Sequence, residues 1–137
     1  MYNTEKVNLT RNTMANDLKK NNTEIGDKLP ELLTEVNRLI EELYPNSMVV
    51  LFGSYARGDA QEESDLDICI LVPELTERRI DMNVEMRGLI RKALYAVLGT
   101  NHAFDTKLYT YNEFDEGVKL KSTLRYVIQE EGVILNE

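Results

Sequence analysis

The segment that most constrains this chain is a glycine-serine pair followed, after ten residues, by an Asp-x-Asp motif. Gly53 and Ser54 come directly after the apolar run Met48–Phe52, and Asp65 and Asp67 open the next apolar run. Because alternate residues of a strand point to one face, the two carboxylates should converge on one point. The segment therefore predicts two buried strands joined by a turn, with paired acids at the start of the second strand.

Further apolar patterns predict an alternation of helices and strands. Strands are expected at Met48–Phe52, Leu66–Val72, His102–Thr110 and Val133–Leu135. In Leu66–Val72, the acids and Cys69 should point one way and Leu66, Ile68, Ile70 and Val72 the other. This alternation predicts one face packed on a core and one face that begins with two acids.

Three longer helices are expected, one before the first of these strands and two between later ones. The first carries an apolar stripe from Leu29 to Leu43, with Pro30 in its first turn. The second runs from a cap at Thr76 to about Leu98 and should bury Ile80, Val84, Ile90, Leu94 and Val97. The last runs from a cap at Asp115 to Gly132. We expect an α+β fold of αβαβαβ order, in which helices cover one face of a small mixed sheet and leave the acidic face open.

The predicted domain covers residues 27–137, and residues 1–26 form an N-terminal arm that is either mobile or a loosely docked helix. The net charge of −8 argues against a broad interface with long nucleic acid. Cys69 is the only cysteine, which excludes an internal disulfide and a cysteine metal cluster; a buried, inert thiol is expected. Without an apolar run of membrane length, a cytoplasmic protein with no membrane partner is expected.

The central motif suits phosphate and metal binding. At Gly53 the backbone can approach a phosphate closely, and the N–H and hydroxyl of Ser54 can donate to its oxygens. Asp65 and Asp67 should repel each other, and a cation between them relieves that repulsion. Mg²⁺ is usually held by one or two carboxylates together with substrate phosphates. Taken singly, however, Gly-Ser is also an ordinary turn, and Asp-x-Asp is also an exposed strand end or a glycosyltransferase motif.

A third acid, Asp105, lies inside a predicted strand, where aspartate is disfavoured. We interpret it as a third metal ligand or as a base for an acceptor hydroxyl; the alternative is an acid on an edge strand that faces water. Asp65, Asp67 and Asp105 are expected on adjacent strands, facing one side, within reach of a shared pair of metal ions. Two such ions can clamp the attacking and leaving oxygens of an in-line displacement.

The composite motif resembles the polymerase-β-like nucleotidyltransferases. Gly53–Asp59 and Ser64–Ile68 are similar to the minimal nucleotidyltransferase (MNT) branch, and the similarity extends from about Pro30 to Glu137. It implies the nucleotidyltransferase fold, with Gly53 and Ser54 on the nucleotide triphosphate. It also implies Asp65, Asp67 and Asp105 on a two-metal Mg²⁺ site.

Arg57 matches the family's arginine and could pair with phosphate, or else form a surface salt bridge with Glu62 or Glu63. Thr106 and Lys107, which follow Asp105, depart from the more apolar strand usual in the family.

The resemblance also implies a partner. An MNT protein of this size usually accompanies a small helical HEPN toxin, acts as its antitoxin and can transfer AMP from ATP to a tyrosine of the toxin. Two other functions stay open: an antitoxin that neutralises by binding alone, and a small-molecule nucleotidyltransferase of the aminoglycoside-modifying kind. The last would need acceptor-binding walls from a second subunit, so a homodimer also stays open.

Overall fold

The computed structural model describes residues 12–13 and 18–135, which form an α+β fold. The strands are β1 (Asn12–Thr13), β2 (Met48–Phe52), β3 (Leu66–Val72), β4 (Phe104–Thr110) and β5 (Ile134–Leu135). The helices are α1 (Glu24–Leu43), α2 (Ser54–Arg57), α3 (Arg79–Leu98), α4 (Tyr111–Val118) and α5 (Leu124–Glu131). The predicted bounds of β2 and β3 are confirmed to the residue.

The central sheet has the order β2-β3-β4 and is mixed, as predicted. β2 runs antiparallel to β3, whereas β3 and β4 run parallel because α3 carries the chain back to the starting end of the sheet. A separate parallel pair joins β1 to β5, and Val133 bridges to Leu51 of β2. The end of the chain therefore returns to the strand that leads into the glycine-serine turn.

Helices cover both faces of the sheet, so the expectation of helices on one face and an open acidic face was wrong. Leu66, Ile68, Ile70 and Val72 pack in the larger core with residues of α1 and α3. On the opposite face, Cys69 and Leu71 are fully buried in a second core with Tyr111, Phe114 and Ile128 of α4 and α5. At the end of that face where the acids lie, Asp65 is exposed and Asp67 and Asp105 are partly exposed. Burial raises the pKa of the Cys69 thiol, which fits the inert role expected of it.

Helix α1 begins earlier than predicted. The Thr23 side chain accepts a hydrogen bond from the Gly26 N–H at 2.8 Å and caps the helix, so Pro30 lies in the second turn instead of the first. Residues 18–23, part of the predicted arm, contact the domain, and Asn21 is buried. Residues 24–26 of the predicted arm belong to α1 and residues 12–13 to β1, whereas residues 1–11 and 14–17 lie outside the described residues.

The predicted register of α3 was wrong at its start. The helix begins at Arg79, Ile80 and Val84 are exposed, and the inward positions are Met82, Met86, Ile90, Ala93 and Leu94. Counting back from Ile90 in steps of four residues places the two methionines on the core side, where their flexible side chains fill the interior. The predicted end is confirmed, since Gly99 closes the helix with a φ of 75°.

The last predicted helix is in fact two helices. Thr110 caps α4, with a reciprocal bond from its backbone to Glu113, and Thr123 caps α5. Ile128 is buried, whereas Leu124 and Val127 are substantially exposed. Among the described residues, no helix is both long enough and apolar enough to cross a membrane.

Candidate active site

Asp67 and Asp105 lie directly opposite each other on neighbouring strands. They are register partners in the parallel pair of β3 and β4, and both are partly exposed. Residues paired across adjacent strands point to the same face of a sheet. The structure therefore brings the second acid of the Asp-x-Asp motif together with Asp105, although 38 residues separate them along the chain.

Charge and burial both act on Asp67. The pKa of Asp67 is raised, first by burial and then by the negative charges of Asp105, Asp65 and Glu131, while Arg57 opposes the shift. A nearby cation stabilises the ionised form of such a carboxylate more than it stabilises that of an exposed one. The electrostatics thus favour a positively charged ligand beside Asp67.

Asp65 and Asp105 are the other two acids of the predicted site. Asp65 precedes β3 and is exposed. Asp105 pairs with Lys107, whose Nζ lies 3.2 Å from Oδ2 of Asp105. Within the described part of the chain, no three acidic, histidine or cysteine side chains converge closely enough to hold a metal ion by themselves. Mg²⁺ in proteins is usually bound through one or two carboxylates, with waters and substrate phosphates as its other ligands.

The glycine-serine turn adjoins Asp67 directly. Phe52 pairs with Asp67 across the sheet, and the chain then turns at Gly53, which has a φ of 77° and a ψ of −158°. This conformation is accessible essentially to glycine alone. The Gly53 carbonyl accepts hydrogen bonds from Ala56 and Arg57, which closes the single turn of α2. Ser54 begins that turn and is half-buried.

Arg57 pairs with acids other than those expected. Instead of Glu62 or Glu63, its guanidinium contacts Asp59 at 3.3 Å and Glu131 at 3.2 Å. The hydrogen bond from Arg57 to Glu131 is the largest cause that raises the pKa of Arg57. Glu131, at the end of α5, also accepts the Gly53 N–H at 2.9 Å. These contacts of Glu131 were not anticipated, because its partners lie 74 and 78 residues away along the chain.

A buried asparagine, also not anticipated, fixes the position of the turn. The Asn21 side chain donates to the Tyr55 carbonyl at 3.0 Å and accepts the Ala60 N–H at 2.9 Å. Beside it, the hydroxyls of Thr23 and Tyr55 are 3.1 Å apart. These contacts join the residues at the start of α1 to the segment between the glycine-serine turn and the Asp-x-Asp motif. They therefore hold the glycine-serine turn in place.

Comparison with known proteins gives a consistent assignment. The nucleotidyltransferase domain family matches residues 33–135. A Methanocaldococcus jannaschii protein named "Putative protein adenylyltransferase" is 32% identical over 87 residues, which are 64% of this chain and 83% of the relative. A second protein of that name and organism is 43% identical over 47 residues, 34% of this chain and 32% of the relative. The chain thus matches only about a third of the length of this second relative.

This chain also aligns with a solved structure of a toxin-antitoxin with AMP-PNP. The alignment covers 75% of this chain and 71% of the chain in that structure, at 22% identity and a TM-score of 0.44. The assignment to a family rests on the sequence matches and not on this distant structure.

Proposed function

The chain belongs to the nucleotidyltransferase domain family, and on this premise we propose that it transfers AMP from ATP to a hydroxyl group in a Mg²⁺-dependent reaction. The observation that carries the proposal is the pairing of Asp67 with Asp105 beside the Gly53 turn. Carboxylates and a phosphate-binding turn at one end of a sheet are what a nucleotidyl transfer requires, because such chemistry depends on positioning and charge stabilisation.

The roles follow from position. The acceptor hydroxyl attacks the α-phosphorus, the new oxygen–phosphorus bond forms, and the bond to the β-phosphate oxygen breaks to release pyrophosphate. Gly53, Ser54 and Arg57 would bind the triphosphate, and Asp105 is our candidate for the group that receives the hydroxyl proton. Asp65, Asp67 and Asp105 would hold Mg²⁺, whose hard oxygen preference fits this donor set and which, when bound, would neutralise charge on the phosphates.

We further propose that the acceptor is a tyrosine of a small helical HEPN toxin and that this chain is its antitoxin in the cytoplasm. The support is the resemblance of Gly53–Asp59 and Ser64–Ile68 to the MNT branch. The name of the M. jannaschii relatives, which specifies a protein acceptor, supports the same class of substrate.

The test is transfer of label from α-labelled ATP, with and without Mg²⁺, to the protein that co-purifies with this chain. We expect Mg²⁺-dependent labelling on tyrosine, and loss of labelling when Asp65 and Asp67 are both replaced by asparagine. Asp27→Asn, which changes an exposed acid of α1, is the matched control. If the double variant still neutralised its partner as well as the wild type, the chain would act by binding alone.

A further inference from the structure

Glu131 connects the end of α5 to the glycine-serine turn. Its Oε1 accepts the Gly53 N–H at 2.9 Å, and its Oε2 lies 3.2 Å from Nη1 of Arg57. The Glu131 side chain is only 17% exposed, whereas that of Arg57 is 48% exposed. One carboxylate therefore accepts hydrogen bonds from a backbone N–H and from a guanidinium at the same time, and its side chain is largely shielded from water.

These two donors are the ones that a triphosphate would use. Nη1 of Arg57 contacts both carboxylate oxygens of Glu131 and can contact phosphate oxygens instead, since a phosphate is also an anion with several oxygens on one centre. An N–H cannot give its full hydrogen bond to both anions at once. We propose that Glu131 is an internal competitor of the triphosphate. Its carboxylate binds the Gly53 N–H and Arg57 until the nucleotide displaces it. This inference rests on the proposed function, because it assumes that the ligand of the turn is a nucleotide.

The charges around Glu131 favour its displacement by a magnesium-bound triphosphate over a free one. Glu131 adds to the negative charge that acts on Asp67, together with Asp65 and Asp105. A free triphosphate would meet this charge without compensation, whereas a magnesium-bound one would meet it with part of its own charge neutralised. Competition by Glu131 should therefore select the magnesium complex over the free nucleotide.

The experiment measures the affinity for Mg-ATP and for magnesium tripolyphosphate by calorimetry in the wild type, Glu131→Gln and Glu131→Ala. Glutamine keeps an oxygen for the Gly53 N–H and removes the charge, so it retains the packing of the site. We expect both variants to bind both probes about tenfold more tightly, because a charge-assisted competitor has been removed. Glu130→Gln is the matched control, since it removes one charge from an exposed neighbouring acid that accepts from the Tyr126 hydroxyl, and we expect its affinity to equal that of the wild type.

Thermal unfolding of the ligand-free proteins separates competition from a merely structural role. Competition predicts that Glu131→Ala lowers the ligand-free Tm and yet binds Mg-ATP more tightly. Unchanged or weaker binding in both Glu131 variants, beside a wild type that binds Mg-ATP, would overturn this inference alone. Absence of binding in every variant would overturn the proposed function as well.

Discussion

A β-carbon placed on Gly53 would overlap Oδ2 of Asp67 and lie 2.9 Å from its Cγ. The turn and the acid thus occupy adjoining space that only a residue without a side chain leaves open. Because Gly53 also has a φ of 77°, two independent constraints require glycine at this position.

Gly53→Ala should therefore lower both stability and activity. The strained backbone costs about 1–3 kcal/mol of unfolding free energy, and displacement of Asp67 should reduce nucleotide transfer further. Urea denaturation and a transfer assay measure the two effects. Gly88→Ala is the control, since nothing lies within 4 Å of a β-carbon there, and within α3 it should stabilise by up to about 1 kcal/mol. Equal stabilities of the two variants would refute the crowding at Gly53.

Asp67→Asn should stabilise the ligand-free protein at neutral pH. Burial and the charges of Asp105 and Asp65 raise the pKa of Asp67 above its ordinary 3.8. The folded state therefore prefers the protonated form, and ionisation removes stability as the pH rises from the ordinary value through the raised one. We expect a gain in Tm on the order of 3 °C at pH 7, which vanishes below about pH 3.8. The measurement is Tm against pH, and a gain that does not change with pH would contradict the assignment.

Asp105→Asn should separate a catalytic carboxylate from an ordinary exposed one. If Asp105 acts on the acceptor or a metal ion, transfer should fall about 100-fold or more, while the fold persists because the neighbouring Thr106 and Leu108 remain buried. Lys107→Gln is the companion variant, since it breaks the 3.2 Å ion pair and keeps every acid; we expect it to cost less than about tenfold. Near-wild-type transfer by Asp105→Asn would show that Asp105 is an ordinary surface acid.

Asn21→Ala should destabilise the turn from a distance. The substitution removes the acceptor of the Ala60 N–H and the donor to the Tyr55 carbonyl, which leaves buried polar groups unsatisfied at a cost of about 2 kcal/mol. Asn22→Ala, at an exposed neighbouring position, should change the unfolding free energy by less than about 0.5 kcal/mol. Chemical denaturation of both variants provides the comparison, and equal effects would show that the buried contacts of Asn21 contribute little.

Local patterns in the sequence determined the parts of the fold that depend on neighbouring residues. The bounds of β2 and β3 and the end of α3 at Gly99 follow from short apolar runs and a helix-ending glycine. Strand alternation also predicted the side of its own strand on which each of Asp67 and Asp105 lies, whereas their placement on adjacent strands was expected from their interpretation as ligands of one metal site. These features were accessible because strand alternation and helix termination act over only a few residues.

Only the tertiary structure decided which distant groups meet. It placed Glu131 on the Gly53 N–H and Asn21 on the Ala60 N–H, and it covered the second face of the sheet with α4 and α5. The tertiary structure also determined which face of α3 is buried: Met82 and Met86 lie inward, whereas Ile80 and Val84, which were expected there, are exposed. Contacts across 39 to 78 residues depend on the path of the whole chain. Periodicity shows which residues of an element share a face, but packing determines which face is buried and against what.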